Sequence, residues 1–165
     1  MSQTRIERVA YDHADAVRLI AEVQLEYARR YGSSDDTPLD PSVFDPPRGS
    51  FYVAYLDGLD GAEPVATGAW RRRDDVHALG STRTAEIKRM YVRPGAQRRG
   101  IARRMLAHLE ATARDAGAEV MVLETGDQQP EAIALYTSTG YTSIPGFGHY
   151  RDAPENRCFA VRLQV

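Results

Sequence analysis

Apolar residues recur with period two in some stretches and every three to four residues in others, and the switches divide the chain into elements. Ile6 to Val9 predicts a short first strand. Behind Asp12, which can cap a helix by accepting a first-turn N–H, Val17, Ile20, Val23 or Gln24, and Tyr27 fall at helical spacing. Arg18, Glu22, Glu26 and Arg30 form a charged stripe four residues apart on that helix. Gly32 to Gly49, rich in Pro, Asp and Ser, predicts a long loop with a short helix around Pro41 to Phe44. Phe51–Leu56 and Val65–Trp70 flank a Gly- and Asp-containing turn and read as a hairpin, followed by a polar loop over Arg71–Arg83. Ala85–Val92 is the next strand, broken by Pro94-Gly95. Ile101, Met105, Leu106, Leu109 and Ala113 make one face of a long helix that Gly117 ends. Val120–Leu123, four apolar residues in a row, predicts a strand covered on both faces. Pro130 suits the first turn of a short helix carrying Ala132, Ile133, Leu135 and Tyr136, which Gly140 stops. Tyr141–Ile144 and Cys158–Leu163 are two final strands around a Gly/Pro/aromatic loop. The order βαββ, βαβα and two strands predicts one mixed α/β domain over residues 1–165, a mixed sheet with helices on both faces.

Composition narrows the class. With 165 residues, 42% hydrophobic and 27% charged, the chain has the make-up of a soluble globular domain with a single core. No stretch approaches the roughly 20 apolar residues of a membrane span, and Met1 to Val9 lacks the apolar run of a secretory signal, so the expected compartment is the cytoplasm. One cysteine, Cys158, excludes an internal disulfide and a cysteine-cluster metal site, and His13, His77, His108 and His149 show no metal-ligand spacing. No metal is expected. A net charge of −2 and the lack of aromatics interleaved with the basic residues argue against a nucleic-acid binder. The distribution of charge is uneven. Glu22 to Glu63 holds nine acids against Arg29, Arg30 and Arg48, whereas Glu86 to Arg104 holds seven bases against Glu86 alone. That asymmetry suggests two ligands of opposite charge, the alternative being solvated faces.

The chemistry concentrates in Glu86 to Arg104, a strand–turn–helix reading EIKRMYV, RPGA, QRRGIARRML. A helix N-terminus offers N–H groups without intrahelical acceptors and a partial positive dipole, and a preceding loop that turns its amides inward completes a phosphate cradle. Gly100 lets backbone approach a ligand, and Arg98, Arg99, Arg103 and Arg104 add positive charge. The segment matches neither GxGxxG nor the Lys-Ser/Thr of a P-loop, so the ligand is a phosphate carrier outside dinucleotide redox and nucleotide hydrolysis.

Gln97-Arg98-Arg99-Gly100-Ile101-Ala102 resembles the Gln/Arg-x-x-Gly-x-Gly/Ala signature of the GCN5-related N-acetyltransferases, the GNAT family. The likeness continues through VLETG (Val122 to Gly126), the segment reaching Tyr136, and Gly140-Tyr141, covering about half the chain from Glu86 to Tyr141. It implies the GNAT fold, a central, mostly antiparallel sheet of six to seven strands, and acetyl-CoA as co-substrate. It assigns the pantetheine arm to the backbone of Met90, Tyr91 and Val92, and the pyrophosphate to the signature from Gln97 and Arg98 through Arg99, Gly100, Ile101 and Ala102, with Arg103 beside them. Ala102 stands where many members have glycine, and Pro130-Glu131 where many have asparagine, which removes one pantetheine contact. A homodimer is implied only by the family's habit.

The implied reaction is acetyl transfer from acetyl-CoA to a primary amine by direct attack in a ternary complex, with a CoA-binding sensor as the alternative. Tyr136 stands where the family commonly has its general acid, the alternative being a core tyrosine under Leu135. Glu86, the lone carboxylate of the basic segment, is the candidate base; it could equally be a counter-ion for Lys88 or for a substrate ammonium. On strand alternation Glu86, Lys88, Met90 and Val92 share a face unless a bulge intervenes. His149, in the loop before the last strand, is a candidate for the rim of the acceptor pocket, and Cys158 for packing. The acceptor is a small molecule or a peptide, and the loop acids Asp35, Asp36, Asp40 and Asp45 favour a polycationic one.

Overall fold

Long runs of β-branched, aromatic and small residues in the middle of the chain produce strands that are buried on both faces, and helices from either end of the sequence cover them. In the computed structural model, which describes residues 3–164, seven strands form one sheet in the order β1-β2-β3-β4-β5-β7-β6. The strands are β1 (Thr4–Arg8), β2 (Gly49–Gly58), β3 (Gly61–Arg72), β4 (Thr84–Val92), β5 (Val120–Gly126), β6 (Thr142–Ile144) and β7 (Asn156–Arg162). Every neighbouring pair is antiparallel except β4–β5. The helices are α1 (Ala14–Tyr31), α2 (Ile101–Asp115) and α3 (Pro130–Ser138), with 3-10 turns at Pro41–Phe44 and Pro94–Ala96.

The pleat of β2 sorts the core. Phe51, Val53 and Tyr55 face α1 and pack with Ala16, Leu19 and Phe44. Tyr52 and Ala54 point the other way and pack with Ile101, Met105 and Leu109 of α2 and Tyr136 of α3. Val120 and Val122 of β5 have a third cover, Val76, Ala78 and Phe147 from two loops. The two-sided sheet and the strand count follow the expectation. Among the described residues no helix is long and apolar enough to cross a membrane.

Three local expectations shift. The buried stripe of α1 is Ala16, Leu19 and Val23: Val23 is buried as expected, but Ala16 and Leu19 stand in for Val17 and Ile20, one residue earlier, and Val17 is half exposed. A small alanine against the sheet outweighs a valine because it lets the helix lie close. The N-cap is His13, whose Nδ1 accepts from Asp15 N at 3.1 Å, in place of Asp12. Glu26 pairs with Arg30 as expected, at 2.8 Å, but Glu22 leaves the helix stripe and reaches Arg93 at 2.7 Å.

Candidate active site

β4 and β5 pair only where Thr84–Glu86 meets Val120–Val122, although β4 continues to Val92 and β5 to Gly126. Beyond Glu86 they separate, leaving two facing edges without a partner strand. The separation coincides with a bulge. The β3–β4 register shifts between Thr67 and Ala69, Arg89 takes φ 55°, and the Arg89 carbonyl accepts the Thr67 hydroxyl at 2.6 Å. A bulge adds bend and twist, which is what parts a strand from its neighbour. It also interrupts the alternation that would place Glu86, Lys88, Met90 and Val92 on one face. The cleft so opened has a volume of about 840 Å³, with Ile87 to Val92 on one wall and Leu123 to Thr125 on the other. A free strand edge can take an extended amide-bearing ligand in place of a strand.

At one end of the cleft lies the turn into α2. Arg98 and Gly100 take φ of 64° and 77°, and among the described residues the backbone N–H groups from Arg98 to Arg103 donate to no protein acceptor. Gly100 is needed for its left-handed backbone, and the space where a Cβ would stand is open. Arg98, Arg99, Arg103 and Arg104 are exposed and have no carboxylate partner among the described residues. Arg103 instead donates to the Ser138 hydroxyl at 2.9 Å and Arg104 to the Thr4 carbonyl at 3.1 Å. Unpartnered amides on a helix N-terminus amid uncompensated arginines suit a pyrophosphate. Gln97, whose Nε2 donates to the Val92 carbonyl at 3.1 Å, ties this turn to the end of β4.

Between the ends stands Tyr136, on the last turns of α3. It is buried, its ring lies 5.4 Å from that of Tyr141, it lines the cleft, and its hydroxyl has no hydrogen-bond partner among the described residues. Burial pushes its phenol well above the usual range, so it stays protonated. Across the cleft on β5, Glu124 is half-buried and its pKa is raised, first by burial and then by the charge of Glu86. Among the described residues its one donor is Asn156 Nδ2, at a long 3.4 Å.

The model of the acetyltransferase (GNAT) family matches residues 16–141, more than half of the chain. This chain belongs to the GNAT family. It is 30% identical over 129 residues to an uncharacterized N-acetyltransferase, YsnE, of Bacillus subtilis, a match covering 74% of this chain and 84% of that protein. A match to an IAA acetyltransferase of Azospirillum brasilense is 44% identical over 69 residues and spans 42% of this chain and 45% of that protein. Among solved structures, a candidate acyl-CoA N-acyltransferase from Klebsiella pneumoniae superposes with a TM-score of 0.73 at 27% identity, covering 98% of this chain and 99% of that one. The chain is thus an acyltransferase enzyme with a GNAT fold, of a family that uses acetyl-CoA.

Within that GNAT frame, Met90, Tyr91, Val92, Gln97, Arg98, Gly100, Ile101, Ala102, Arg103 and Tyr136 all line the cleft. Arg99 does not; its side chain is exposed outside it, and only its amide joins the turn. Glu86 is 1% exposed and does not line the cleft: its Oε1 accepts from Arg71 Nε at 2.9 Å and Arg73 Nη1 at 2.7 Å. Its partners are therefore two arginines of the preceding strand and loop, and Lys88 lies against Asp35 at 3.8 Å. Cys158 is buried beside Glu124 in the β5–β7 register, and burial raises its thiol pKa.

The charge asymmetry of the sequence has a largely internal explanation. Glu22 and Glu63 of the acidic segment hold Arg93 at 2.7 and 3.1 Å, and Asp35 holds Arg89 at 3.1 Å. Asp36 meets Tyr150 and His149 at 2.6 and 3.2 Å, and Asp40 caps the 3-10 turn through Ser42 N at 3.0 Å. Acidic and basic segments are thus each other's partners, and the uncompensated remainder is the arginine group around Gly100. Two features of the site escaped sequence reasoning. Glu124 carried a signal, the first charged residue after the apolar run of β5, 12 positions before Tyr136. Tyr150 carried none, and Asp35, expected only as a loop acid, gave no sign of its partners, because its contacts with Arg89 and Tyr150 join residues 54 and 115 positions apart.

Proposed function

We propose that this GNAT chain transfers the acetyl group of acetyl-CoA to a primary amine by direct attack in a ternary complex. The observation that supports it most is the shared cleft: an amide cradle at one end, a free strand edge along it, and, among its lining residues, an unpartnered Tyr136 hydroxyl and a half-buried Glu124 carboxylate. Bound acetyl-CoA would supply an activated thioester. The amides from Arg98 to Arg103 would hold its pyrophosphate, and the β4 edge from Met90 to Val92 would align its amide-bearing arm. Glu124 takes the role of base. Its raised pKa brings it closer to neutral pH, where a carboxylate can accept a proton from an acceptor ammonium, directly or through water. The freed amine nitrogen forms the bond to the acyl carbon while the carbon–sulfur bond breaks. Tyr136 gives its proton to the leaving thiolate, which departs with the carbon–sulfur electron pair, and is reprotonated from solvent, while the second nitrogen proton passes to solvent on collapse to the amide. The positions of Glu86 and Cys158 favour this assignment. Glu86, held by two arginines, is a counter-ion, and Cys158, with a raised pKa, is a poor nucleophile for an acetyl-enzyme.

The test is acetyl-CoA thiol release with a broad amine panel, with products identified by mass. Tyr136→Phe should lower turnover about 10²-fold at unchanged CoA affinity. Glu124→Gln should lower it similarly at neutral pH and recover as pH rises, because an already neutral amine needs no base. CoA binding without acetylated product from any amine would refute the transferase reading in favour of a sensor.

A further inference from the structure

The end of the cleft opposite the cradle holds two charges of opposite sign, neither of them fully matched. Glu124 has no cationic partner within ion-pair distance among the described residues, only Asn156 at 3.4 Å. Lys88, 10% exposed and lining the cleft, has an ammonium without a hydrogen bond; its contact with Asp35, at 3.8 Å, is too long for one. Asp35 cannot neutralise Lys88 alone, since the same oxygen accepts from Arg89 at 3.1 Å and the other takes Thr37 and Tyr150. One carboxylate thus faces two cations, and the ammonium keeps its donor capacity.

A roof lies over this pair. The β6–β7 loop brings Gly148 so near Glu124 that a Cβ at 148 would overlap the carboxylate. Two residues on, the Tyr150 hydroxyl lies between Asp36 Oδ1 at 2.6 Å and Asp35 Oδ1 at 2.9 Å, which share its one proton, and accepts Asp36 N at 2.8 Å, with His149 on Asp36 at 3.2 Å. The loop after α1 and the loop before β7 are therefore bolted together beside Lys88 and Glu124.

Resting on the transferase reading above, we infer that the acceptor is a free amino acid or a similar small zwitterion, its ammonium on Glu124 and its carboxylate on Lys88. A polyamine would set a second cation against Lys88, and a peptide acceptor would have to carry chain past the bolted loops. Like charges in a half-buried site cost free energy, and so does leaving a buried donor unmatched.

The experiment compares, on the full chain with acetyl-CoA, the twenty L-amino acids, the amide of each, spermidine and short peptides with free N-termini. The best amino acid should exceed its own amide about 10- to 100-fold in kcat/KM, the worth of one hydrogen bond to a charged group. Lys88→Gln should raise the amino-acid KM by a similar factor, leave the KM for acetyl-CoA unchanged and bring the acid-to-amide ratio near one, and Lys88→Arg should restore part of it. If Lys88→Gln does not fold, the wild-type ratio decides. Equal use of acid and amide, or preference for spermidine or peptides, would overturn the zwitterion assignment while leaving acetyl transfer standing. Failure of every amine would refute the transferase reading and this inference with it.

Discussion

Asp35→Asn removes one charge while keeping the shape and the acceptor oxygen that Thr37 N, the Thr37 hydroxyl and Tyr150 use, at 3.0, 2.6 and 2.9 Å. Burial alone would raise the Asp35 pKa, but Lys88, the Thr37 hydrogen bonds and Arg89 outweigh it and hold the value at about 2 against an ordinary 3.8. A folded pKa below the unfolded one means stability that is present above about pH 4 and lost as pH falls towards 2. At 1.36 kcal/mol per tenfold change in proton affinity the charge is worth about 2 kcal/mol at neutral pH. The asparagine Nδ2 would also face the Arg89 and Lys88 donors, which moves the cost towards the 3–5 kcal/mol of a buried pair that loses one partner. For a chain of this length 2 kcal/mol lowers Tm by about 4–8 °C. Urea unfolding of wild type and variant at pH 7 and pH 3 measures it. The gap should be at least about 2 kcal/mol at pH 7, and the charge component should shrink to roughly half at pH 3, because Asp35 of the unfolded chain, at its ordinary pKa of 3.8, is already mostly protonated there. A gap under about 0.5 kcal/mol at pH 7, or one that does not narrow on acidification, would refute the view that Asp35 is the fixed counter-charge of Lys88 and Arg89.

Further outcomes follow from the same geometry. Gly148→Ala puts a Cβ into the Glu124 carboxylate, so kcat/KM for the acceptor should fall about tenfold or more with CoA affinity unchanged in calorimetry. Gly100→Glu should abolish measurable CoA binding by charge repulsion in the cradle, whereas Gly100→Ala, which bears only the left-handed backbone cost of about 1 kcal/mol, should retain most of it. Arg98→Ala and Arg103→Ala should each weaken CoA binding several-fold at low salt and less at high salt, because both guanidiniums are exposed. Wild-type turnover should fall as pH drops through the raised pKa of Glu124, and in Glu124→Gln that limb should move towards the acceptor amine's own pKa.

How much of this was legible in the sequence depends on the range of the interaction that decides each feature. Strands and helices rest on periodicity within a few residues, so eleven of the twelve elements, the short turn at Pro41–Phe44 included, sit where the pattern places them, with ends displaced by a few residues; the 3-10 turn at Pro94–Ala96 falls where only a strand break was expected. The cradle is legible for the same reason, since Arg98 to Ala102 form one contiguous turn whose amides point together by local backbone alone. The acceptor end depends instead on long-range ion pairs. Glu86 stood out as the lone acid in a basic segment, but the hairpin register sets Arg71 opposite it, and with Arg73 this makes it a counter-ion away from the cleft. Glu124 was hidden because it follows four apolar residues as the natural end of a strand; only the early parting of β4 from β5 turns it towards a ligand. The same argument governs the segregated charges. A run of acids and a run of bases in one chain read as two faces for two ligands, yet an antiparallel sheet flanked by α1 brings them into register, and opposite charges at close range pair with each other first. What remains after that pairing, among the described residues, is the informative part: four arginines around Gly100 without a carboxylate, the Lys88 ammonium that shares Asp35 with Arg89 and makes no hydrogen bond, and the Glu124 carboxylate without a cationic partner. The first group calls for phosphate, and the last two together call for an acceptor that carries both signs.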